Sequence, residues 1–361
     1  MMHPQMDDTR RMDYIRLFQR AQRQGTPLID GNTATFVWRG RHPPVVIGDF
    51  TQWENGPALP FTRVSKGLWT CALDFPPDAY LEYIFLLDGE RQPDPLNPRA
   101  TPNGYGKINQ YFYMPAGGPT PFARRDHSIP RGKVTRHVVW NDSSELIAGR
   151  HRSVYLYQPP VDEPAPLLVV WDGSDYLRRA RLTVLLDNLI AQQRIRPLAL
   201  AMIQNGGPAR TVEYACSDAT LGFLNRFVIP LAQENLHLTD PREGTYGVLG
   251  ASMGGLMALY TGLRLPQRFS RVISQSGAFS REEYDPVVYE LIRYSPVSPL
   301  KIWLDVGAYD FSELLKANLA LGSLLQERGY SATLRQYNGG HNYPAWRDDL
   351  ACGLEALFGQ P

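Results

Sequence analysis

The sequence predicts two domains of different class: a smaller all-β sandwich, then an α/β domain with a doubly wound, mostly parallel sheet. A chain of 361 residues has ample length for two domains. Its first third carries short aromatic strands separated by turns, whereas in the remainder apolar strands alternate with helical segments. Between them, residues 116–121 (Ala-Gly-Gly-Pro-Thr-Pro) have the composition of a linker.

The composition excludes several classes of protein. Hydrophobic residues make up 43% and charged residues 20%, an ordinary globular mixture. With 37 basic and 36 acidic residues the formal net charge is +1, so the basic surface of a nucleic-acid or anionic-membrane binder is not expected. The chain has 31 glycines and 30 prolines, which favours many turns and much β-structure.

The cysteines and the apolar runs predict a cytoplasmic protein. Cys71, Cys216 and Cys352 form no C-x-x-C pair, so we expect neither a disulfide framework nor a structural zinc site. The polar start lacks the apolar core of a secretory signal. The longest apolar runs are about six residues, far below the roughly 18 that span a bilayer.

Each element of the first domain follows from a local pattern. Apolar residues recur at helical spacing over residues 8–22, which predicts a lead-in helix and linker over residues 1–29. Asp88-Gly89 predicts a tight hairpin turn. An immunoglobulin-like sandwich is therefore expected over residues 30–118. Its predicted strands are 35–38, 45–48, 68–73, 80–87 and 110–113.

The second domain is expected over residues 123–361. It opens with an antiparallel pair of strands, 133–140 and 152–158. Nearly continuous apolar strands with helical crossovers then predict a parallel sheet covered on both faces. The predicted strands are 167–171, 198–204, 247–250, 272–275, 302–306 and 332–337; the predicted helices are 178–191, 221–233, 253–265, 312–328 and 344–357.

Residues 250–255 (Gly-Ala-Ser-Met-Gly-Gly) carry the strongest chemical signal. They follow a predicted strand and open a predicted helix, which is the context of a G-x-S-x-G nucleophile elbow. Such a turn projects the Ser252 hydroxyl above the sheet and directs the Met253 N–H at a developing oxyanion. The sequence therefore predicts Ser252 as nucleophile, Met253 as oxyanion donor and an α/β-hydrolase fold.

A serine nucleophile needs a base and an acid, which follow it along the chain in this fold class. His341 lies in the loop after the last predicted parallel strand, whereas the other six histidines precede Ser252. Asp310 follows the preceding strand and can orient the imidazole. Glu313 is the alternative acid, although it also suits a helix N-terminus. Asp305 is expected to point away inside its strand.

The second oxyanion donor is expected in the loop after strand 167–171. The chain there reads Asp172-Gly173-Ser174, and the N–H of Gly173 or Ser174 would donate. The same residues would equally suit a plain turn.

Together these motifs resemble the esterase-D-type α/β-hydrolases, specifically the enterochelin (ferric-enterobactin) esterases. The resemblance covers residues of about 130–361, through segments 170–173, 210–214, 250–255, 266–269, 307–310 and 339–341, followed by Trp346. It implies the triad of Ser252, His341 and Asp310 without metal or cofactor. It also makes Arg210 a candidate substrate contact, and we expect Glu213, Ser174 and Trp346 to bind the substrate as well. Arg210 and Glu213 could instead brace their own loop.

The first domain resembles E-set, isoamylase-N-like modules, which are related to glycogen-binding domains and precede the catalytic domain of enterochelin esterases. The resemblance rests on residues 48–53 (Gly-Asp-Phe-Thr-Gln-Trp), 67–69, 83–85, 88–89 and 94–98. Trp53 and Trp69 could stack on a sugar; filling the core is the interpretation we favour. No prediction follows for the oligomeric state.

The predicted function is hydrolysis of a small-molecule carboxylic ester through an acyl-enzyme. A catecholate siderophore trilactone is the first substrate class. Feruloyl, acetyl or other sugar esters are the second, because the near-neutral chain does not predict a strongly basic mouth. A non-catalytic carbohydrate-binding protein is the alternative from another class.

Overall fold

The computed structural model describes residues 5–104, 106–140, 146–280 and 286–360. Of residues 5–13 and Glu243 it describes the backbone alone. The chain divides into two compact units. The first comprises residues 1–118, 308–311 and 338–342; the second comprises 119–307, 312–337 and 343–361. The first boundary falls inside the glycine- and proline-rich segment 116–121.

The elements alternate as the sequence patterns suggest, strands first and then strands with helices. In chain order they are α1 (Gln5–Gln24), β1 (Leu28–Asp30), β2 (Thr33–Arg39), β3 (Val45–Gly48), β4 (Leu59–Pro60), β5 (Thr62–Ser65), β6 (Leu68–Asp74), β7 (Tyr80–Leu87), β8 (Glu90–Gln92), β9 (Ala100–Pro102), β10 (Ile108–Tyr113), β11 (Lys133–Trp140), β12 (His151–Gln158), β13 (Leu167–Val170), α2 (Gly173–Arg178), α3 (Leu182–Ala191), β14 (Ala199–Ile203), α4 (Arg210–Tyr214), α5 (Asp218–Phe223), α6 (Ile229–Asn235), β15 (Tyr246–Ala251), α7 (Met253–Arg264), β16 (Phe269–Gln275), α8 (Val288–Tyr294), β17 (Lys301–Gly307), α9 (Ser312–Glu327), β18 (Ser331–Tyr337) and α10 (Tyr343–Phe358).

The first unit contains two antiparallel sheets. One has the order β1-β2-β6-β5; the other has the order β4-β3-β7-β10-β9, with β8 paired to β7. Phe36 from the first sheet packs against Tyr83, Phe85 and Phe112 from the second, with ring centres 4.8–6.3 Å apart. Aromatic residues from both sheets thus form one core, as in a β-sandwich.

The second unit is built on one eight-stranded sheet of order β11-β12-β14-β13-β15-β16-β17-β18. β11, β12 and β14 pair antiparallel, and the pairs from β14 to β18 are parallel. β13, β14 and β15 are buried along their whole length, which explains their unbroken apolar runs. The predicted fold class is confirmed.

Several elements differ from the prediction. The helix expected over residues 178–191 corresponds to α3 and begins only at Leu182; α2 ends at Arg178, and Arg181 between the two helices has a φ of 53°. No glycine or proline at 179–181 signals this break. The helix expected over residues 221–233 contains a π-helical turn at Leu224–Val228. Pro230, which follows it, has no N–H to donate.

The other differences are omissions. Five short strands and three short helices were not predicted, because two to seven residues give too little periodicity to read. They are β1, β4, β5, β8, β9, α2, α4 and α8.

Candidate active site

Ser252 lies in the second unit, on the sharp turn between β15 and α7. Its φ of 57° and ψ of −124° are strained for a residue with a side chain. The turn is held by backbone hydrogen bonds: Ser252 N donates to Gln275 O (2.9 Å), and Ala278 N donates to Ser252 O (3.0 Å). Met253 begins α7, so its N–H is among the helix N-terminal donors without an intrahelical acceptor. The geometry is that of a nucleophile elbow.

The glycines of the motif are required by close packing around this turn. A Cβ on Gly250 would overlap the backbone of Gly254. A Cβ on Gly254 would lie 2.9 Å from Asp172 Oδ2, and one on Gly255 would lie 2.6 Å from Ser274 Oγ. The glycine pattern recognised in the sequence is therefore the steric condition for the elbow.

Asp310 and His341 lie together in the first unit. His341 Nδ1 is 2.9 Å from Asp310 Oδ1, which also accepts from Phe311 N at 2.7 Å. The Asp310 side chain is fully buried and His341 is 13% exposed. The Phe311 ring packs on the imidazole, with the ring centres 5.4 Å apart. Glu313, the alternative acid, is exposed on α9, so the structure pairs His341 with Asp310.

The loop after β13 is organised by a buried carboxylate. Asp172 is 1% exposed and receives Arg210 Nε at 2.7 Å on Oδ1 and Arg210 Nη2 at 2.6 Å on Oδ2. Asn205 Nδ2 donates to Oδ1 at 2.7 Å. Burial lowers the pKa of Arg210, but its hydrogen bonds and charge contact with Asp172 outweigh this, so the pKa is raised.

Gly173 and Ser174 open α2, directly after this carboxylate. A Cβ on Gly173 would overlap the backbone of Met202 and Ile203, so the close approach of α2 to β14 requires glycine. Ser174 is half-buried in the first turn of the helix. The loop is thus a strand-to-helix turn with backbone N–H groups at the helix start, the geometry that an oxyanion donor needs.

Arg210 and Glu213 do not brace each other, because each has another partner. Arg210 binds Asp172 and also approaches Ala251 O at 3.3 Å, next to Ser252. Glu213 Oε1 lies 2.6 Å from Arg152 Nη2 in a pair whose side chains are 8% and 7% exposed. The carboxylate of Glu213 therefore binds a protein cation.

The tryptophans that the sequence singled out donate to protein groups. Trp346 is 4% exposed, and its Nε1 donates to Ser276 Oγ at 3.0 Å. In the first unit, Trp53 and Trp69 are half-buried. Trp53 Nε1 donates to Asp49 Oδ1 and Trp69 Nε1 to Gly40 O, each at 3.0 Å.

Sequence reasoning missed the residues that hold these loops. Asp172 and Asn205 anchor Arg210 in the second unit. In the first unit, Gln52 Nε2 donates to Asp310 O at 3.0 Å and Asp49 binds Asn342. The motif at residues 48–53 was visible, but nothing in it indicated these distant partners.

The described residues form neither a metal-binding cluster nor a membrane-spanning helix. Over residues 5–104, 106–140, 146–280 and 286–360, no three His, Cys, Asp or Glu side chains lie close enough to hold a metal ion. In the same part of the chain, no helix combines the length and apolarity needed to cross a bilayer.

Comparison with protein families decides the class. Residues 143–357 match the family model "Esterase", described as "Putative esterase", which spans more than half of the chain. The chain belongs to this esterase family. The prediction of an ester hydrolase is confirmed.

Curated relatives in this esterase family have more specific names. The chain is 28% identical over 274 residues to the iron(III) enterobactin esterase of Escherichia coli K12, covering 73% of this chain and 67% of that protein. It is 26% identical over 375 residues to the iron(III) salmochelin esterase of Escherichia coli O6:H1, covering 91% and 88%. The resemblance to enterochelin esterases is confirmed.

Solved structures share the fold of this esterase. Ferric enterobactin esterase from Salmonella typhimurium matches with a TM-score of 0.76 and 23% identity, covering 90% of this chain and 93% of that one. The enterobactin esterase of Shigella flexneri matches with a TM-score of 0.74 and 24% identity, covering 90% and 92%. Both matches include the first unit as well as the second, since they extend over nine-tenths of the chain.

Proposed function

We propose that this esterase works through a triad of Ser252, His341 and Asp310. The observation that carries the proposal is the hydrogen bond between His341 Nδ1 and Asp310 Oδ1, because it orients the imidazole and favours the tautomer in which Nε2 is the basic nitrogen. Further support comes from topology: the three residues follow β15, β18 and β17, which run parallel in one sheet and whose carboxyl ends lie at the same edge.

The proposed reaction is acyl transfer to water. His341 Nε2 takes the Ser252 proton as Oγ attacks the ester carbonyl carbon, and Asp310 stabilises the imidazolium. The Met253 N–H and a donor at Gly173 hold the oxyanion, each contributing about 3–4 kcal/mol to the lowering of the barrier. The imidazolium then protonates the leaving alcohol. Water activated by the same histidine hydrolyses the acyl-enzyme.

For the substrate we propose a catecholate siderophore trilactone. The support is that relatives that match most of the chain are named enterobactin and salmochelin esterases.

A second candidate substrate, a less anionic feruloyl or acetyl ester, is favoured by one observation. The charge of Arg210 is balanced by buried Asp172, so this pair adds no net positive charge beside Ser252. Ser174, Trp346 and a glycan contact by the first unit stay predictions, as does a cytoplasmic location.

The test compares wild type with Ser252→Ala on p-nitrophenyl esters, a feruloyl ester, an acetylated sugar and a catecholate trilactone. We expect cleavage by wild type and a loss of at least about a thousandfold in Ser252→Ala, because triad members act as a unit. Ser323→Ala, a change at an exposed serine on α9, is the matched control. Equal rates in wild type and Ser252→Ala would refute the triad. The substrate that wild type cleaves fastest shows whether the catecholate trilactone or the less anionic ester is the better candidate.

A further inference from the structure

The turn at residues 48–53 lies against the two loops that carry Asp310 and His341. All of these residues belong to the first unit. Within the turn, Gln52 and Trp53 both have positive φ, 59° and 56°. Two consecutive side-chain-bearing residues in this conformation are strained, and such strain persists where surrounding contacts impose it.

Asp49 contacts both neighbours of His341. Its carboxyl group occupies the space that a Cβ on Gly340 would need, so residue 340 must be glycine. Asn342 Nδ2 lies 3.3 Å from Asp49 Oδ2. Asp49 is itself held in place: Oδ2 accepts from Glu82 N at 2.8 Å, and Oδ1 accepts from the Trp53 indole.

Gln52 contacts the residue that orients His341. Its side-chain Nε2 donates to the backbone oxygen of Asp310 at 3.0 Å. The two loops are also joined to each other, because Tyr309 N donates to Gly339 O at 3.0 Å. The 48–53 turn thus reaches the Asp310 loop through Gln52 and the His341 loop through Asp49.

We propose that Asp49 and Gln52 are positioning residues for the reaction. Through Gly340, Asn342 and the Asp310 carbonyl they hold the His341 imidazole within hydrogen-bond distance of Asp310. This inference rests on the proposed triad. It gives the turn at residues 48–53 a part in catalysis that is separate from any contact with the substrate. A displacement of about 1 Å in a reacting group can cost about a hundredfold in rate, so loops of this kind need support.

The test uses full-length Asp49→Asn and Gln52→Met, with Asp94→Asn as matched control. The two oxygens of the Asp49 carboxyl group accept from three N–H donors, on Glu82, Trp53 and Asn342, so the NH₂ of an amide at this position opposes at least one of them. Gln52→Met keeps the volume of the side chain and removes its donor. Asp94 is a buried carboxyl group in the same unit, held by Thr26, Tyr83 and Leu96 N.

We expect kcat on a p-nitrophenyl ester to fall about 10- to 100-fold in Asp49→Asn and about 3- to 10-fold in Gln52→Met, with KM within about twofold. Asp94→Asn keeps kcat within about twofold of wild type, although it loses comparable thermal stability. Unchanged kcat in both test variants, or an equal fall in Asp94→Asn, would overturn the proposal.

A second readout does not depend on activity. The Nδ1 proton of His341, hydrogen-bonded to Asp310, is expected as a downfield proton NMR resonance, assigned by its loss in His341→Gln. We expect it to shift or broaden in Asp49→Asn and Gln52→Met and to stay in place in Asp94→Asn. If Ser252→Ala is as active as wild type, the triad fails, yet this resonance still decides whether Asp49 and Gln52 position His341.

Discussion

Asp305 lies within β17 and Asp310 lies three residues after its end, and the two carboxylates have different surroundings. Asp305 is inside the strand, in the second unit, and its Oδ2 accepts from Trp303 Nε1 at 3.0 Å and from Gln275 Nε2 at 3.2 Å. Burial, and then the charge of Asp349, raise the pKa of Asp305 well above its ordinary value. Asp310 is in the first unit and binds His341.

Burial does not distinguish these two acids, because both are at most 1% exposed. The partner does. An indole and an amide give Asp305 a fixed place in the sheet, whereas an imidazole gives Asp310 a partner that can gain and lose a proton. The comparison shows that two equally buried acids differ in the groups they face.

The largest expected effect tests this comparison directly. Asp310→Asn should lower kcat about 10⁴-fold, because the amide no longer stabilises the imidazolium and favours the wrong tautomer of His341. Asp305→Asn keeps an acceptor for Trp303 and should leave kcat within about tenfold. Steady-state kinetics of both variants on one ester give the answer. Comparable losses in the two would mean that the histidine partner is not what separates them.

A second test extends the comparison to another buried acid, Glu213. Arg152→Met would leave its carboxylate buried without its cation, which should lower the free energy of unfolding by about 3–5 kcal/mol. Arg264→Met breaks an exposed pair with Asp218 and should cost less than about 1 kcal/mol. Urea unfolding measures both changes. If the two costs are similar, burial of the pair is not decisive.

A third test concerns the packing of the His341 loop. Gly340→Ala forces a Cβ into the Asp49 carboxyl group and should destabilise the protein by about 1–3 kcal/mol. Gly118→Ala is the control, because nothing lies within 4 Å of its added Cβ. The melting temperature of Gly340→Ala should therefore be lower than that of Gly118→Ala. Equal melting temperatures would show that the loop accommodates the added Cβ without loss of stability.

The smallest expected effect is the pH dependence that Asp305 contributes. Because its pKa is raised in the folded state, its contribution to stability is complete below the unfolded pKa of about 3.9 and is lost as the pH rises through the folded pKa. One proton limits the slope to about 1.4 kcal/mol per pH unit. The amide in Asp305→Asn does not titrate, so the free energy of unfolding of this variant should not fall in this way. The difference between the variant and wild type should therefore increase in favour of the variant as the pH rises. Parallel urea-unfolding curves from pH 4 upwards would contradict the raised pKa.

Local patterns carried much of the fold prediction. The limits of β3, β7 and β11 match the predicted strands, because apolar alternation and flanking turns are properties of neighbouring residues. The elbow at Ser252 was readable for the same reason, because Gly250 and Gly254, four positions apart, pack directly against each other. The break at Arg181 was not readable, because the residues there have no conformational preference that signals it.

These local patterns did not predict which side chains bind each other across the fold. From the sequence, Arg210 and Glu213 could have paired with each other and braced their own loop. In the structure Glu213 instead binds Arg152, 61 positions away. Gln52 and the Asp310 carbonyl are separated by 258 positions. No period or spacing relates residues at such separations.

The sequence by itself thus determined the two fold classes, the serine at the elbow and the histidine that follows the last strand. It left Asp310 and Glu313 both open as the acid. The tertiary structure pairs His341 with Asp310 and brings Asp49 and Gln52 against the same loops. The physical reason is range: backbone sterics and side-chain periodicity act between neighbours in the chain, whereas a hydrogen bond needs two atoms about 3 Å apart in the folded molecule.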